Sequence, residues 1–166
     1  MNPPTNPVTY PSDRELLVER VFNAPRALVF EAFSKCEHLT HWWGVQGWTL
    51  PVCKLDFRPG GEWLYCMRGP QGEESWGKAF YHEIVAPERI VYTDYFADKD
   101  GNPNEKAPAP LVTLTFVDEG GKTRLMNHAK YPTADDLNTV LKMGMIEGMS
   151  QTFDRLDALL AELTRS

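Results

Sequence analysis

An amphipathic pattern near the C-terminus constrains the fold more than any other feature of this sequence. Between residues 133 and 163, apolar side chains recur every three or four positions, as expected of one face of a helix. The members of this apolar stripe are Leu137, Leu141, Met145, Met149, Phe153, Leu156, Leu160 and Leu163. Thr133 is a suitable N-cap, and Asp135 and Asp136 stand in the first turn, where the helix dipole favours negative charge. The spacing predicts one long helix over residues 133–163, with its stripe buried against the rest of the chain.

Two glycines interrupt the middle of this predicted helix. Gly144 and Gly148 lie one turn apart, and each lowers helix stability by about 1 kcal/mol relative to alanine. The close approach of another backbone or space for a ligand would offset this loss. Because about thirty helical residues would span roughly 45 Å, more than most compact domains need, a kink or a separate first turn is an alternative to one straight helix. Met143, Met145 and Met149 surround the glycines with flexible side chains that suit an irregular core or an adaptable pocket. Of these two, ordinary core is the more common use of such a methionine pattern.

Composition places the chain among single-domain globular proteins. Its 166 residues, 42% of them hydrophobic, are enough for one domain with a sizeable core. A formal charge of −6 argues against nucleic acid or an anionic membrane surface as the main partner. No apolar segment is long enough to span a bilayer and no signal-like start is present, so the sequence predicts a cytoplasmic protein. Three cysteines, an odd number, favour reduced thiols over a disulfide framework.

Proline separates an N-terminal arm from the domain that follows. Residues 1–13 are predicted to be extended, because prolines recur there among small polar side chains. Residues 14–166 are predicted to form a single domain. Two placements of the arm are open: the surface of its own domain, or a second copy of the chain in a homodimer.

The rest of the chain contains short helices and a succession of strands. The sequence predicts a strand over residues 15–22, a helix that starts at about residues 23–25 and a second helix over residues 36–42. Six strands joined by hairpins follow, with predicted ranges 52–57, 62–67, 76–85, 90–96, 111–117 and 123–131. This order predicts an α+β domain in which an antiparallel sheet curls around the terminal helix.

The succession of hairpins also predicts where a cavity would open. Alternate turns of a sequential meander lie at the same end of the sheet. Loops 69–74 and 97–110 should therefore meet the start of the last helix at Tyr131 and Pro132. We expect the mouth of any cavity at this end.

Two pairs of residues carry more local expectations. Trp42 and Trp43 are adjacent, so one is expected in the core and the other toward a cavity or solvent. If residues 59–60 formed a two-residue loop, Cys53 and Cys66 would face each other across a hairpin. Packing as small apolar side chains is expected there rather than a disulfide.

Several short motifs, in a fixed order along the chain, resemble those of one known family. They are ERVFNAPRALVF (19–30), HWWG (41–44), DFRPGG (56–61), APERI (86–90), GKTRL (121–125), Gly148 and FDRL (153–156). The resemblance extends over residues 15–163, nearly the whole chain. On these motifs the chain resembles the activator of Hsp90 ATPase homologue family, within the START/Bet v 1-like (SRPBCC) superfamily.

The resemblance implies both a fold and a kind of function. The fold is a helix-grip: a seven-stranded antiparallel curved sheet wrapped around a long C-terminal helix, with two short helices after the first strand and a hydrophobic cavity. Members of the superfamily bind lipids, hormones or polyketides, and a few cyclise or dehydrate polyketides. Eukaryotic members that stimulate the Hsp90 ATPase use an additional N-terminal domain, which this chain lacks, so a chaperone partner has weak support. The family often has tryptophan after the glycine at 148, whereas Met149 here would enlarge or soften the cavity.

No pattern in the sequence predicts a cofactor, a metal ion or a catalytic triad. Cys36, His38 and His41 could supply metal ligands, but so short a span rarely closes a tetrahedral site. The stretch GGKT at 120–123 looks like the end of a phosphate-binding loop, yet it joins two strands with no helix behind it. The acidic stretch at 98–102 resembles the start of a calcium loop but is followed by proline in place of the required glycine.

Large aromatic side chains point to a binding cavity, since small-molecule sites have mostly apolar walls and a few polar groups. The predicted ligand-binding residues are Trp43, Trp48, Trp63, Tyr65, Trp76, Phe80, Tyr92, Asn127, His128, Met145, Met149 and Phe153. Our first hypothesis is a module that binds a small hydrophobic or aromatic molecule between the sheet and the terminal helix. The alternative, a cyclase- or dehydratase-like enzyme, requires an acid or base among His128, Asp94 and Glu83 to reach the cavity.

Overall fold

The computed structural model describes residues 7–165, which form eight strands and four helices. In chain order these are β1 (Val8–Thr9), β2 (Glu15–Phe22), α1 (Arg26–Ala32), α2 (Cys36–Trp42), β3 (Thr49–Leu55), β4 (Glu62–Arg68), β5 (Glu74–Val85), β6 (Arg89–Ala97), β7 (Leu111–Glu119), β8 (Lys122–Lys130), α3 (Ala134–Lys142) and α4 (Met145–Leu163). The predicted α+β fold is confirmed. No helix in this part of the chain is both long and apolar enough to cross a membrane.

The eight described strands form one antiparallel sheet in the order β1-β2-β8-β7-β6-β5-β4-β3. Strands β3 to β8 follow one another as a meander, and β2 joins the sheet beside β8. The resemblance implied seven strands, and the additional one is β1, because Val8 and Thr9 of the predicted arm pair with β2. The part of the predicted arm at residues 1–6 lies outside the described residues.

The concave face of the sheet and α4 together form the hydrophobic core. Side chains alternate between the two faces of each strand, and Phe22 and Phe116 on the concave face are fully buried. α4 brings Phe153, Leu156 and Leu160 into this core, and the rings of Phe22 and Phe153 lie 5.7 Å apart edge to face. The C-terminal half of α4 is thus packed against the sheet as its apolar stripe predicts.

The C-terminal segment is two helices and not the single helix predicted. α3 begins as expected, with Thr133 Oγ1 accepting a hydrogen bond from the Asp136 amide at 3.0 Å. The chain then breaks at Gly144, whose φ of +84° lies in the left-handed region that favours glycine. Gly148 lies inside α4, where a Cβ would come 3.3 Å from the Val45 side chain. One glycine therefore turns the chain between helices, and the other lets the segment after α2 approach α4 closely.

The cysteines contradict the prediction of reduced thiols, because Cys36 and Cys53 form a disulfide. Their Cα atoms lie 5.9 Å apart, where the start of α2 packs against β3. Cys66 is free and buried. The expected facing of Cys53 and Cys66 is wrong by one residue, since Val52 lies opposite Cys66 and Cys53 lies opposite Tyr65. An odd number of cysteines is compatible with one bond and one remaining thiol, which the counting argument overlooked.

A buried arginine joins the sheet to α4. Arg20 of β2 is only 4% exposed, and its guanidinium donates to the carboxylates of Asp154, at 2.7 Å, and Asp157. It also donates to the Ser150 carbonyl at 3.4 Å. Because the planar guanidinium donates in fixed directions, these bonds set the orientation of α4 as well as its distance from β2.

Replacing this arginine should destabilise the fold. Arg20→Ala is expected to lower the free energy of unfolding by about 2 to 4 kcal/mol, because it removes a buried guanidinium whose hydrogen bonds join β2 to α4 and leaves space in the core. A matched control is Arg124→Ala on β8, which also pairs with two carboxylates, those of Glu19 and Glu119, but whose own side chain is 36% exposed against 3% for Arg20. That change should cost less than about 1 kcal/mol. Urea unfolding followed by circular dichroism gives both values, and equal losses would contradict the role assigned to Arg20.

Candidate functional site

A cavity of about 410 Å³ lies between the concave face of the sheet and the N-terminal half of α4. This volume falls in the range of small-molecule sites. Tyr92 and Asp94 of β6 and Asn127 and Ala129 of β8 line it together, because residues two apart on a strand point to the same face. Ala129 has a small side chain, which leaves space at the centre of the sheet that a larger residue would fill.

The helix wall of the cavity comes from the same stripe that packs the core. Met145, Met149 and Phe153 follow one another at intervals of four residues and line the cavity. Met145 and Met149 are only partly buried, and Met143 is 64% exposed. Met145 and Met149 therefore combine the two uses that the sequence left open, since they pack partly against the core and also line the cavity, whereas Met143 is exposed and not part of the core.

The adjacent tryptophans divide as the sequence predicted. Trp42 is fully buried, and its indole N–H donates to the Ala32 carbonyl at 3.0 Å. Trp43 lines the cavity, with its ring 4.8 Å from that of Trp63 and 5.7 Å from that of Tyr65. The segment after α2 thus supplies one aromatic wall, fixed in place by its buried neighbour.

A carboxylate and a phenol form the polar centre of the cavity. The Tyr65 hydroxyl lies 3.0 and 3.2 Å from the two carboxylate oxygens of Asp94 and donates to them. Burial raises the pKa of Asp94 to about 7, while the hydrogen bond from Tyr65 acts in the lowering direction. Burial first, and then the charge of Asp94, raise the pKa of Tyr65, Tyr92 and Tyr131, so these phenols stay neutral hydrogen-bond donors.

A glycine on the intervening strand permits the contact between Tyr65 and Asp94. Tyr65 lies opposite Gly77, and Asp94 lies opposite Ala79, two residues further along β5. A Cβ on residue 77 would come 2.2 Å from Cζ and 2.4 Å from Oη of Tyr65. Only glycine therefore lets the phenol lie across β5 and reach the carboxylate on β6.

A second cavity, of about 330 Å³, continues from the first and shares Asp94 with it. Pro108, from the loop predicted over residues 97–110, and Gly144, at the junction of the two last helices, help to line it. The predicted meeting of this loop with the terminal helical segment is confirmed. Loop 69–74 lies at the same end of the sheet by topology but contributes no lining residue.

The structure places eight of the twelve predicted ligand-binding residues on the main cavity. They are Trp43, Trp48, Tyr65, Tyr92, Asn127, Met145, Met149 and Phe153. Whether they contact a ligand stays a prediction. The structure adds residues that the sequence analysis did not select, including Val112, Ala129, Tyr131 and Thr152. For Ala129 and Tyr131 a signal was available, since they alternate with Asn127 along one strand.

The other four predicted residues lie elsewhere. Trp63 is buried behind the wall, packed on Trp43 and Tyr65, and Trp76 borders the second cavity. Phe80 faces away from the cavity and packs on Tyr95, with ring centroids 5.7 Å apart. His128 also faces away, with Nε2 2.8 Å from a Glu15 carboxylate oxygen. The convex positions of Phe80 and His128 follow from strand alternation and could not be assigned until the inward face was known.

Of the three acid or base candidates, only Asp94 reaches the cavity. His128 pairs with Glu15 on the convex face, and Glu83 pairs with Arg89 in an exposed position. The sulfur of Cys36, considered as a metal ligand, is held in the disulfide with Cys53. Among these candidates the cavity therefore contains one carboxyl group, that of Asp94, with the Tyr65 hydroxyl beside it.

Comparison with known proteins identifies the family. The family described as "Activator of Hsp90 ATPase homolog 1-like protein" matches residues 23–161. The chain belongs to this family. Membership confirms the resemblance seen in the sequence motifs and places the chain in the SRPBCC superfamily, whose fold commonly binds hydrophobic ligands. A comparison with curated proteins gives no match.

Solved structures share the fold over almost the whole chain. Protein Ms6760 from Mycobacterium smegmatis is 34% identical, with 95% of this chain and 97% of that one covered and a TM-score of 0.85. A protein from Staphylococcus epidermidis is 29% identical, and the match covers 98% of this chain and 96% of that one with a TM-score of 0.82. A protein from Arthrobacter aurescens is 26% identical, and the match covers 94% of this chain and 91% of that one with a TM-score of 0.85. The predicted Bet v 1-like architecture is thereby confirmed.

The buried carboxyl should make stability depend on pH. The folded protein retains the Asp94 proton up to a pKa of about 7, whereas the unfolded chain releases it near 3.8. This contribution to stability is complete below the unfolded value and is lost as pH rises through the folded one, by at most about 4 kcal/mol. Asp94→Asn cannot ionise and should lack this loss, so it should be more stable than the wild type at about pH 8. Urea unfolding of both proteins between about pH 5 and 8 measures the difference, and parallel pH curves would contradict it.

A methyl group on residue 77 should disturb the carboxyl through Tyr65. Gly77→Ala is expected to displace the phenol, destabilise the fold by about 1 to 3 kcal/mol and raise the pKa of Asp94, because the hydrogen bond that favours its ionised form is lost. Tyr65→Phe should raise that pKa without a steric change. In the double variant the two pKa changes should not add, since each removes the same bond. Carboxyl carbon NMR of Asp94 reads the titration, and an unchanged titration in Gly77→Ala would overturn the positioning role.

Proposed function

We propose that the protein binds a small hydrophobic or aromatic molecule in the cavity between the sheet and the N-terminal half of α4. The observation that carries this proposal is the cavity of about 410 Å³, with aromatic and methionine walls and polar groups concentrated at Tyr65 and Asp94. Apolar walls with a few convergent polar groups are typical of small-molecule sites. Family membership supports the same conclusion, because the fold commonly binds hydrophobic ligands.

The cavity is too large to be a packing defect of an ordinary core. Protein interiors contain few voids larger than a water molecule, and apolar voids hold water poorly. Trp43, Met149 and Phe153 supply walls that water would wet poorly. A bound apolar molecule would remove this surface from water at roughly 25 cal/mol for each Å². The shape of the site thus supports uptake of a guest that is itself mostly apolar.

A second candidate function, favoured by one observation, is a cyclase- or dehydratase-like enzyme. Asp94 reaches the cavity with a pKa of about 7 and a phenol at hydrogen-bond distance, and a general acid or base works best when its pKa lies near the working pH. In this role Asp94 would exchange a proton with the bound molecule. Substrate turnover that Asp94→Asn abolishes, while a bound product analogue is still detected, would favour this candidate over binding alone. No feature of residues 7–165 described above bears on a chaperone partner, so none is proposed.

Filling the cavity should weaken binding of an apolar probe. Met149→Trp places a larger side chain in the cavity wall and should weaken binding of 1-N-phenylnaphthylamine, a neutral dye that fluoresces in apolar surroundings, by about tenfold or more. The dye is titrated into each protein and the fluorescence is followed.

The matched control is Met126→Trp, which adds the same indole to β8 on the convex face, away from both cavities. It should bind the dye like the wild type. Equal weakening in the two variants, or no binding by the wild type, would contradict the proposal.

A further inference from the structure

The charges that line the two connected cavities are of one sign. Asp94 is an acid, and no lysine, arginine or histidine of the described chain lines either cavity. The phenols around Asp94 stay neutral, as shown above. A guest inside therefore meets a single acidic group, negatively charged once Asp94 has lost its proton, and no basic side chain of the lining offsets that charge.

The Asp94 carboxylate also has fewer hydrogen-bond donors than it can accept. A carboxylate can accept about four hydrogen bonds, whereas the Asp94 side chain receives one hydroxyl, that of Tyr65, shared between its two oxygens within residues 7–165. Burial without a cation or further donors disfavours its ionised form, which is the main cause of the raised pKa of Asp94. A ligand that brings donors to these oxygens would supply what the protein does not.

Aromatic rings surround this charge. Tyr65, Tyr92 and Tyr131 lie within electrostatic reach of Asp94, and Trp43 and Phe153 line the same cavity. Aromatic rings attract cations through their quadrupoles, more strongly where water is excluded. A carboxylate among aromatic rings favours a cation over a neutral molecule and strongly over an anion.

We infer that the cavity selects molecules in which an aromatic or other apolar body carries a protonated amine, with the ammonium group held by Asp94 and the body between the sheet and α4. This inference rests on the proposed function, because it specifies the class of ligand for the same cavity. The ammonium donates hydrogen bonds to the carboxylate oxygens that Tyr65 leaves free, and the rings that line the cavity contact the body.

Selection of this kind ties affinity to pH. The titratable groups that face Asp94 are Tyr65 of β4, Tyr81 of β5, Tyr92 of β6 and Tyr131 after β8, all with raised pKa values and thus neutral. The residues of β7 and α4 that line the cavity do not titrate. Protons therefore compete with the amine for Asp94 alone, and amine affinity should rise severalfold between about pH 6 and 8.

Three probes of similar shape and different charge test the inference: tryptamine as the cation, 3-ethylindole as the neutral molecule and indole-3-propionate as the anion. Calorimetric titration of the wild type at about pH 8 should give tryptamine an affinity about tenfold or more above that of 3-ethylindole, with indole-3-propionate the weakest. In Asp94→Asn, which keeps the shape of the side chain, the ratio of tryptamine to 3-ethylindole should fall to about one. The pH dependence of tryptamine binding to the wild type provides a measurement that needs no variant.

The outcomes separate this inference from the function on which it rests. If 3-ethylindole binds the wild type as tightly as tryptamine, or if the preference persists in Asp94→Asn, the amine selection is overturned while binding of the neutral dye still supports the cavity as a site. If neither the dye nor any of the three probes binds, both are overturned. A tryptamine affinity that does not change between about pH 6 and 8 would also overturn the assignment of the ammonium to Asp94.

Discussion

The ion pairs between Arg20 and two aspartates of α4 set the geometry on which the cavity depends. They hold the C-terminal half of α4 against β2, where Phe22 and Phe153 also meet. Toward the N-terminus of α4, the apolar stripe and the small side chain of Ala129 line the cavity together with residues of β6. The cavity therefore lies beside the part of α4 that these charged contacts hold, and the position of the helix sets the space between it and the sheet.

The sequence predicted the order of elements well, because strand alternation, turn residues and helical periodicity are local signals. The range of α2, residues 36–42, agrees with the structure, and the strands differ from it by a few residues at most. Periodicity could not predict the break at Gly144, because an amphipathic pattern continues through a left-handed residue if the next helix resumes in phase. It also could not tell which half of the stripe is packed, since it identifies an apolar face and not the surface opposite. The disulfide was missed for a related reason, as Cys36 and Cys53 meet only through the packing of α2 on β3.

The candidate site was partly predictable from aromatic content and less so from strand position. Trp43 and Tyr92 were selected for their ring size and do line the cavity, whereas Phe80 and His128 were selected on similar grounds and lie on the opposite face. What decides between them is the inward face of each strand, and that depends on the register between strands. Gly77 illustrates the remaining gap, because a glycine inside a strand signals close approach without naming the side chain that approaches. Its partner, Tyr65, becomes evident only when β4 and β5 are aligned.

The pairing of β2 with β8 affects the order in which this domain folds. β2 is near the start of the chain but pairs with β8, and Thr123 donates from β8 to the Ala24 carbonyl just after β2 at 2.8 Å. Contacts so distant in sequence form late and slow the folding of a domain. A growing chain that has not yet reached β8 carries β2 without its main neighbour, and the inner face of the meander stays open to water. The domain therefore completes its sheet only after β8 has been synthesised, because that strand joins β2 to the meander.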